Sequence, residues 1–475
     1  MILQFNKNEW FGNIKNDILG GLVTSIALIP EVIGFAIIAG VNPMTALFAS
    51  FITLTVTSIT GGRPAMVSAA AGSMALVMVT LIKTHGLEYM IAATILTGII
   101  QLILGYLGIH QLMKFISKPV MLGFVNALAI LIFLAQVQQL DNKNLATYGM
   151  VGGTIALMYL LPRITKAIPP ALIVIIAMTI VSLNPGFGLQ TVGDLGDMSG
   201  ALPFLGLPSV PFTFETLRII FPTALALSMV GLIESLLTLP LINDMTDSTG
   251  DNQREVKAQG LANIVTGFFG GPAGCAMIGQ AVINVKSGGR KRLSTLTAGL
   301  ALLLMIVALK GIMIQIPTAA LIGIMITVAF ETFDWQSVKT IRTNSFVETS
   351  IMLVTIAIVV YTHNLAIGIF AGVLLSMIVF FAKASKLEFS AQGDTIEISG
   401  QLFFASATSF IAYFQTNDLQ QFTTLDLSRV HLWDESGIDA LHTVLDLYEK
   451  NKQSLTIIGM TTTNEKLVER IASLR

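Results

Sequence analysis

Fourteen apolar runs fill the first 385 residues, and most of them have the length needed to cross a bilayer. They fall near 18–39, 42–60, 67–82, 89–109, 119–138, 145–162 and 168–184. After a connection rich in Gly and Pro, a second set falls near 219–240, 257–270, 274–286, 295–309, 313–330, 347–362 and 364–382. A helix needs about 20 residues to span roughly 30 Å of hydrocarbon. In a chain of 475 residues that is 53% hydrophobic and 12% charged, such runs specify an all-α polytopic membrane protein and exclude an ordinary soluble domain. Seven runs precede the connection and seven follow it. An odd number of crossings reverses the orientation of the second half, so the spacing predicts a 7+7 inverted repeat over about 17–184 and 215–383.

Two runs are interrupted in the same way. Gly267 to Arg290 reads GFFGGPAGCAMIGQAVINVKSGGR, with about 13 residues between the Gly270-Gly271-Pro272 break and Lys286. A half-length helix that starts at membrane depth must find partners for its free amides in protein, water or ligand, because lipid offers none. Its N-terminus therefore attracts anions. In the first half, Gly61-Gly62-Arg63-Pro64 leads into VSAAAGSMALVMV over 67–79. Interrupted segments at corresponding places predict a transporter with its substrate between them.

Charge sets the orientation. With a cytoplasmic N-terminus, the connections after even-numbered spans hold Arg63, Lys114, Lys118, Arg163, Lys166, Lys286, Arg290, Lys291, Arg292, Lys339, Arg342, Lys383 and Lys386. The opposite connections hold little beyond Lys83, Lys143, Arg218 and Lys310, with Asp194, Asp197 and Glu215 in the long one. This is the positive-inside bias, with the acidic stretch 242–257 as its exception. Residues 1–21 read as a cytoplasmic amphipathic lead-in and not as a cleaved signal peptide. Cys275 is the one cysteine, so no intrachain disulfide forms, and the five His lack metal-ligand spacing. Ser287-Gly288-Gly289 lacks the Lys-Ser/Thr ending of a phosphate loop. No catalytic constellation appears, so neither enzymatic activity, an organic cofactor nor a nucleic-acid partner is expected. Arg290, Lys291 and Arg292 read as a topology-setting basic loop, with contact to anionic lipid heads as the other reading.

After Lys386 the pattern turns to soluble α/β: strands at 395–404, 423–430 and 454–460, and helices at 436–451 and 463–474. The expected domains are a transmembrane one over 1–386 and a small cytoplasmic one over 387–475.

DILGGLVTSIALIPEVIGFAIIAGVNP (17–43), GGRPAMVSAAAGSMAL (61–76), IESLLTLPLINDMTDSTGDNQREVKAQGLANIVTGFFGG (233–271) and the Gly267–Arg290 stretch resemble the SulP family of sulfate-permease-like anion transporters. LDLSRVHLWDESGIDAL (425–441) resembles a STAS domain, the usual C-terminal companion in that family. The resemblance implies fourteen transmembrane segments, core and gate subdomains that move relative to each other, a bacterial inner-membrane location and commonly a homodimer. It places the anion between the N-termini of the third and tenth segments, at Ser68, Ala69, Ala70, Ala71 and Gly72 and at Gly274, Cys275, Ala276 and Met277. Small side chains there admit backbone amides to a ligand; they also permit tight helix packing.

Within the eighth span, Glu234 is an acid in an apolar helix, which is costly unless paired or functional. Thr238 shares its helix face and Ser235 adjoins it, giving a hard-oxygen set suited to a small hard cation. In bicarbonate-transporting SulP members the corresponding acid and Thr resemble a sodium site, a role the resemblance carries to Glu234 and Thr238. A protonated Glu234 bonded to a neighbouring helix is the alternative. Glu31 follows Pro30, which loosens the first span, and resembles a proton-coupling acid of some relatives. Two acids and no basic side chain admit an anion only if a positive charge enters too, which favours symport with sodium or a proton over plain exchange. Gln280 stands where many members have a basic residue, which argues against divalent sulfate, and Ala71 stands where bicarbonate transporters place Thr. Bicarbonate is the expected substrate. Sulfate or dicarboxylate with protons, anion exchange, a nucleobase permease, an anion channel and a STAS-linked sensor remain open. In the tail, Ser436 resembles the phosphorylated Ser of STAS antagonists and also stands where a helix N-cap belongs.

Overall fold

The computed structural model describes residues 7–111, 116–141, 143–164, 169–195, 205–341, 343, 345–417 and 421–472. Lys114, Lys166, Asp197 and Arg342, which entered the charge argument, lie outside the described residues. By its contacts the chain divides into two compact units, one up to Val373 and one from Leu374.

In the first unit a short helix α1 (Lys7–Trp10) precedes α2 (Ile14–Ala39), α3 (Pro43–Thr60), a two-residue strand β1 (Ser68–Ala69), α4 (Gly72–His85), α5 (Leu87–Tyr106), α6 (Lys118–Gln139), α7 (Leu145–Ile164) and α8 (Pro170–Ser182). The second half follows with α9 (Phe214–Thr246), α10 (Asn252–Phe268), β2 (Cys275–Ala276), α11 (Ile278–Lys286), α12 (Arg292–Ala308), the short α13 (Lys310–Met313), α14 (Thr318–Thr332), the short α15 (Trp335–Thr340), α16 (Phe346–Thr362) and α17 (Leu365–Ala384), whose second half, from Leu374, belongs to the second unit. All fourteen predicted spans are present, and packing shows the repeat. Under exchange of α2–α8 for α9–α12, α14, α16 and α17, the contact of α2 with α12 becomes that of α9 with α5, α2 with α11 becomes α9 with α4, and α6 with α16 becomes α14 with α7. Helices α3 and α10, and α6 and α14, each pack against their own counterparts. Helices α2–α5 and α9–α12 pack mainly with one another, as the expected core, and α6–α8, α14, α16 and α17 pack mainly with one another, as the expected gate.

The helices of the eighth and ninth spans begin early, at Phe214 and Asn252, and those of the third, tenth and twelfth begin late, at Gly72, Ile278 and Thr318. The third and tenth runs are not helical from their first residues: 67–71 and 274–277 are extended, and the helices begin at Gly72 and Ile278. Nine residues of α11 reach only about 13 Å at 1.5 Å per residue. The basic loop is also not all surface. Arg292 is 1% exposed, pairs with Glu9 at 2.6 Å, and donates to Ser58 O at 3.1 Å and Gly61 O at 2.7 Å. Burial of that charge, compensated on three sides, excludes Arg292 from lipid contact. Arg63 is likewise buried, donating to Ile242 O, Ser248 Oγ and Thr246 Oγ1.

The second unit holds a four-stranded mixed sheet of β3 (Glu388–Gln392), β4 (Thr395–Leu402), β5 (Thr424–Leu432) and β6 (Thr456–Ile458), with β3 antiparallel to β4 and the remaining pairs parallel. Helices α18 (Phe404–Thr416), α19 (Glu435–Lys450) and α20 (Thr462–Ala472) complete it. Alternate residues of β4 and β5 (Ile396, Ile398, Leu425, Leu427) bury against Phe410, Phe414, Leu441 and Val444, as one apolar face per sheet side requires. The strand expected over 395–404 ends at Leu402, and Phe404 opens α18.

Candidate functional site

Strands β1 and β2 come from corresponding places in the two repeats and pair antiparallel, Ser68 opposite Ala276 and Ala69 opposite Cys275. The Met277 N–H extends the pairing by donating to Val67 O at 2.9 Å. Each strand runs into a half-helix, so the starts of α4 and α11 are brought together at the centre of the core. The amides expected to face an anion are largely committed elsewhere. Ala70 N–H donates to Ser50 Oγ at 3.1 Å, Gly274 N–H to Asn263 Oδ1 at 2.8 Å, and Ala276 N–H to Ser235 Oγ at 3.1 Å. Neither helix has a side-chain cap at its N-cap residue, Ala71 or Met277. The donors without an intrahelical partner are those of the first turns, Gly72, Ser73 and Met74 on α4 and Ile278, Gly279 and Gln280 on α11. The amides still open to a ligand therefore lie from Gly72 and Ile278 onward, at the ends of the two expected stretches.

Close approach explains two glycines. A Cβ on Gly274 would lie 2.6 Å from Ala69 O, inside the strand pair, and one on Gly72 would lie 2.5 Å from the Phe35 ring. Gly274 therefore serves packing, while Gly72 opens the first turn of α4. Beside the tips, a cavity of about 10 Å³ is lined by apolar atoms of Phe35, Ala36, Ala70, Ala71, Met78 and Ala273; that is space for about one water.

Glu234 projects from α9 at these starts. Its Oε2 accepts from the Ser73 hydroxyl and, at 3.3 Å, from the Cys275 thiol, so the acid is 8% exposed and joins both half-helix segments. Ser235 accepts the Ala276 amide and donates to Gly231 O at 2.7 Å. Thr238 donates to the Glu234 backbone carbonyl at 2.8 Å, one turn along the same helix. The oxygens of Glu234, Ser73 and Thr238 suit a hard cation; the thiol does not. Among the described residues no group of three or more His, Cys, Asp or Glu could hold a metal ion. Glu31 is separate from this cluster: it is partly buried on α2 and lies beside Gln280 of α11. Gln280 is fully buried, and neither heteroatom of its amide has a hydrogen-bond partner.

A stripe on α10 escaped the sequence reading. Glu255, Gln259, Asn263 and Thr266 are buried at helical spacing. Glu255 Oε2 accepts Gly62 N–H at 2.8 Å and its Oε1 accepts from Gln259 Nε2, which also donates to Ser68 Oγ; both Gln259 bonds are 2.7 Å. Asn263 holds Gly274 through both its N–H and its C=O and donates to Gln101 Oε1 at 2.8 Å. Of these residues, Gln259 holds β1 through Ser68 and Asn263 holds the entry to β2 through Gly274. The available signal was a polar residue every three or four positions on one face of the helix, at 255, 259, 263 and 266.

In the second unit, Asp434 and not Ser436 caps α19, its Oδ1 accepting Gly437 N–H at 2.9 Å. Ser436 is exposed in the first turn.

The chain matches the sulfate permease family over residues 14–151 and 137–355 and the STAS domain over 388–473. A putative sulfate transporter of Bacillus subtilis, YbaR, is 48% identical over 98% of both chains. The bicarbonate transporter BicA of Picosynechococcus sp. is 26% identical over 81% of this chain and 73% of its own. Among solved structures, the transmembrane domain of a cyanobacterial BicA superposes with a TM-score of 0.68 at 23% identity, covering 77% of this chain and 98% of that one. The murine anion transporter Slc26a9 in its inward-facing state superposes at 0.82 with 19% identity, covering 98% and 88%. With the inverted repeat, the paired half-helix starts and the C-terminal α/β domain in place, the chain belongs to the sulfate permease family of multi-pass membrane anion transporters and carries a STAS domain.

Proposed function

We propose that the protein is a secondary active transporter that moves a small inorganic anion by alternating access, coupled to a cation at Glu234, with bicarbonate as the substrate. The observation that carries this reading is the Glu234 carboxylate held by Ser73 and Cys275 where both half-helices begin. Each helix start supplies about half a positive charge to the anion. The carboxylate, Ser73 and Thr238 supply oxygens to sodium or, with Glu234 alone, a site for a proton. No basic side chain occurs among Ser68–Met74, Glu234–Thr238 and Gly274–Gln280. A fixed negative charge beside an anion is unfavourable unless a cation accompanies it. The transmembrane part works as a homodimer in the bacterial inner membrane, with the N-terminus and STAS domain cytoplasmic.

The name of the relative YbaR favours a second reading, sulfate uptake with protons through Glu31. Proteoliposome uptake of labelled bicarbonate and sulfate, with and without an inward sodium gradient at constant pH, separates the two. Sodium-driven bicarbonate accumulation lost in Glu234→Ala supports the first. Sodium-independent sulfate uptake driven by an acid exterior and lost in Glu31→Gln overturns it in favour of the second.

A further inference from the structure

The edge of the C-terminal domain that carries Phe404 and Trp433 bears large aromatics that the domain core does not use. Phe404 is 62% and Trp433 63% exposed. Parallel pairing explains why they stand together: Leu402 of β4 is registered with Leu432 of β5, so both strands leave the sheet at the same edge. Phe404 N–H donates to Asp434 Oδ2 at 3.0 Å and Trp433 N–H to Leu402 O at 3.2 Å, which fixes the two exits to each other. The Trp433 indole is itself held, its Nε1 donating to Gln401 Oε1, and it meets His431 edge-on.

The same edge touches the end of α17. The Phe381 ring lies 5.7 Å from Phe403 and 5.8 Å from Phe404. Helix α17 has 20 residues, a rise of about 30 Å, which is the hydrocarbon thickness of a bilayer. Its last turn, with Phe380, Phe381 and Lys383, therefore emerges at the lipid headgroups, with Lys386 just beyond. An aromatic edge in van der Waals contact with that turn shares its depth.

We propose that Phe404 and Trp433 insert into the headgroup layer of the membrane and anchor the C-terminal domain to the bilayer surface. Trp combines an apolar ring with a polar N–H, the property that concentrates it at membrane–water interfaces. The neighbouring acids Asp434 and Glu435 and the basic Lys383 and Lys386 leave the edge without a strong net charge, so the partner is the interface itself and not specifically an anionic lipid.

The full-length protein tests this in phosphatidylcholine–phosphatidylethanolamine liposomes. Phe404→Cys and Trp433→Cys are each labelled with a nitroxide. Cys275, fully buried, stays unlabelled. Glu449→Cys, exposed near the far end of α19, serves as the solvent reference. The accessibility ratio of oxygen to a polar nickel chelate is expected to be several-fold higher at 404 and 433 than at 449, and the difference is expected to vanish in a short-chain detergent. Equal ratios at all three positions in liposomes would place the edge in water and overturn the proposal. Exclusion of both reagents at 404 and 433 would show a protein surface covering the edge and would overturn it equally.

Discussion

Asn263→Ala tests whether the α10 stripe sets the register of the paired strands. The wild-type amide accepts from Gly274 N–H and donates to Gly274 O at 3.1 Å and to Gln101 Oε1, three hydrogen bonds in a site closed to solvent. Each such bond contributes about 1 kcal/mol, and a buried group left unpaired costs about 1–3 kcal/mol. Losing all three, with the Gly274 amide stranded, amounts to about 3–6 kcal/mol. The loss falls on β2 and hence on the start of α11. The control is Thr266→Val on the same helix: it removes one bond, to Thr53 Oγ1 at 3.1 Å, and touches neither strand. Thermal unfolding in detergent and initial uptake rates in proteoliposomes are measured for both. Asn263→Ala should unfold well below the wild type and lose most uptake; Thr266→Val should cost about 1 kcal/mol and keep transport. Wild-type stability and uptake in Asn263→Ala, or equal damage from Thr266→Val, would refute the positioning role.

Further outcomes follow from other contacts. Gly274→Ala forces a Cβ to within 2.6 Å of Ala69 O, so strand separation should cost about 1–3 kcal/mol and lower uptake; unchanged uptake would mean that the strand pair can open freely. Arg292→Met removes a buried cation that Glu9, Ser58 and Gly61 surround, and Glu9→Ala strands it; the second variant should be the less stable of the two in thermal scans, because the buried charge remains without its partner. Asp434→Ala loses the α19 cap and the bond from Phe404 N–H, which should cost about 0.5–2 kcal/mol in the C-terminal domain, whereas Ser436→Ala should leave its unfolding unchanged.

The spans were legible because a bilayer imposes length and polarity on each segment separately, and every predicted run became a helix or a half-helix. What the sequence hid depends on partners far away along the chain. Val67–Ala71 and Gly274–Met277 are short, mostly apolar stretches with neither a helical nor an alternating pattern, and they become extended because each finds the other about 200 residues away. Arg292 reads as one of three consecutive cations until Glu9 folds onto it. Strand β3 is polar and mostly exposed, so nothing in its composition separates it from a loop. Glu234 was identifiable by its cost in an apolar helix; that a thiol and a hydroxyl share its Oε2 was not.

The inverted repeat also bears on the two acids. Helices α2 and α9 are counterparts, and each carries its acid against the opposite repeat's half-helix, Glu31 beside Gln280 of α11 and Glu234 beside Ser73 of α4. Four residues on, the two diverge: Thr238 adds an oxygen to the Glu234 side, while Phe35 adds a ring that closes over Gly72. Only the Glu234 side sets a hydroxyl, that of Ser73, on its carboxylate and a second, that of Thr238, on its backbone carbonyl, so cation dependence should reside there. On the other side an acid meets an unpaired amide, an arrangement able to contact the anion. Glu234→Gln is therefore expected to abolish the stimulation of uptake by a cation gradient. Gln280→Ala should leave that stimulation intact while changing the concentration of substrate needed for half-maximal uptake. If instead Gln280→Ala removes cation stimulation and Glu234→Gln alters only substrate affinity, the roles of the two sides are reversed.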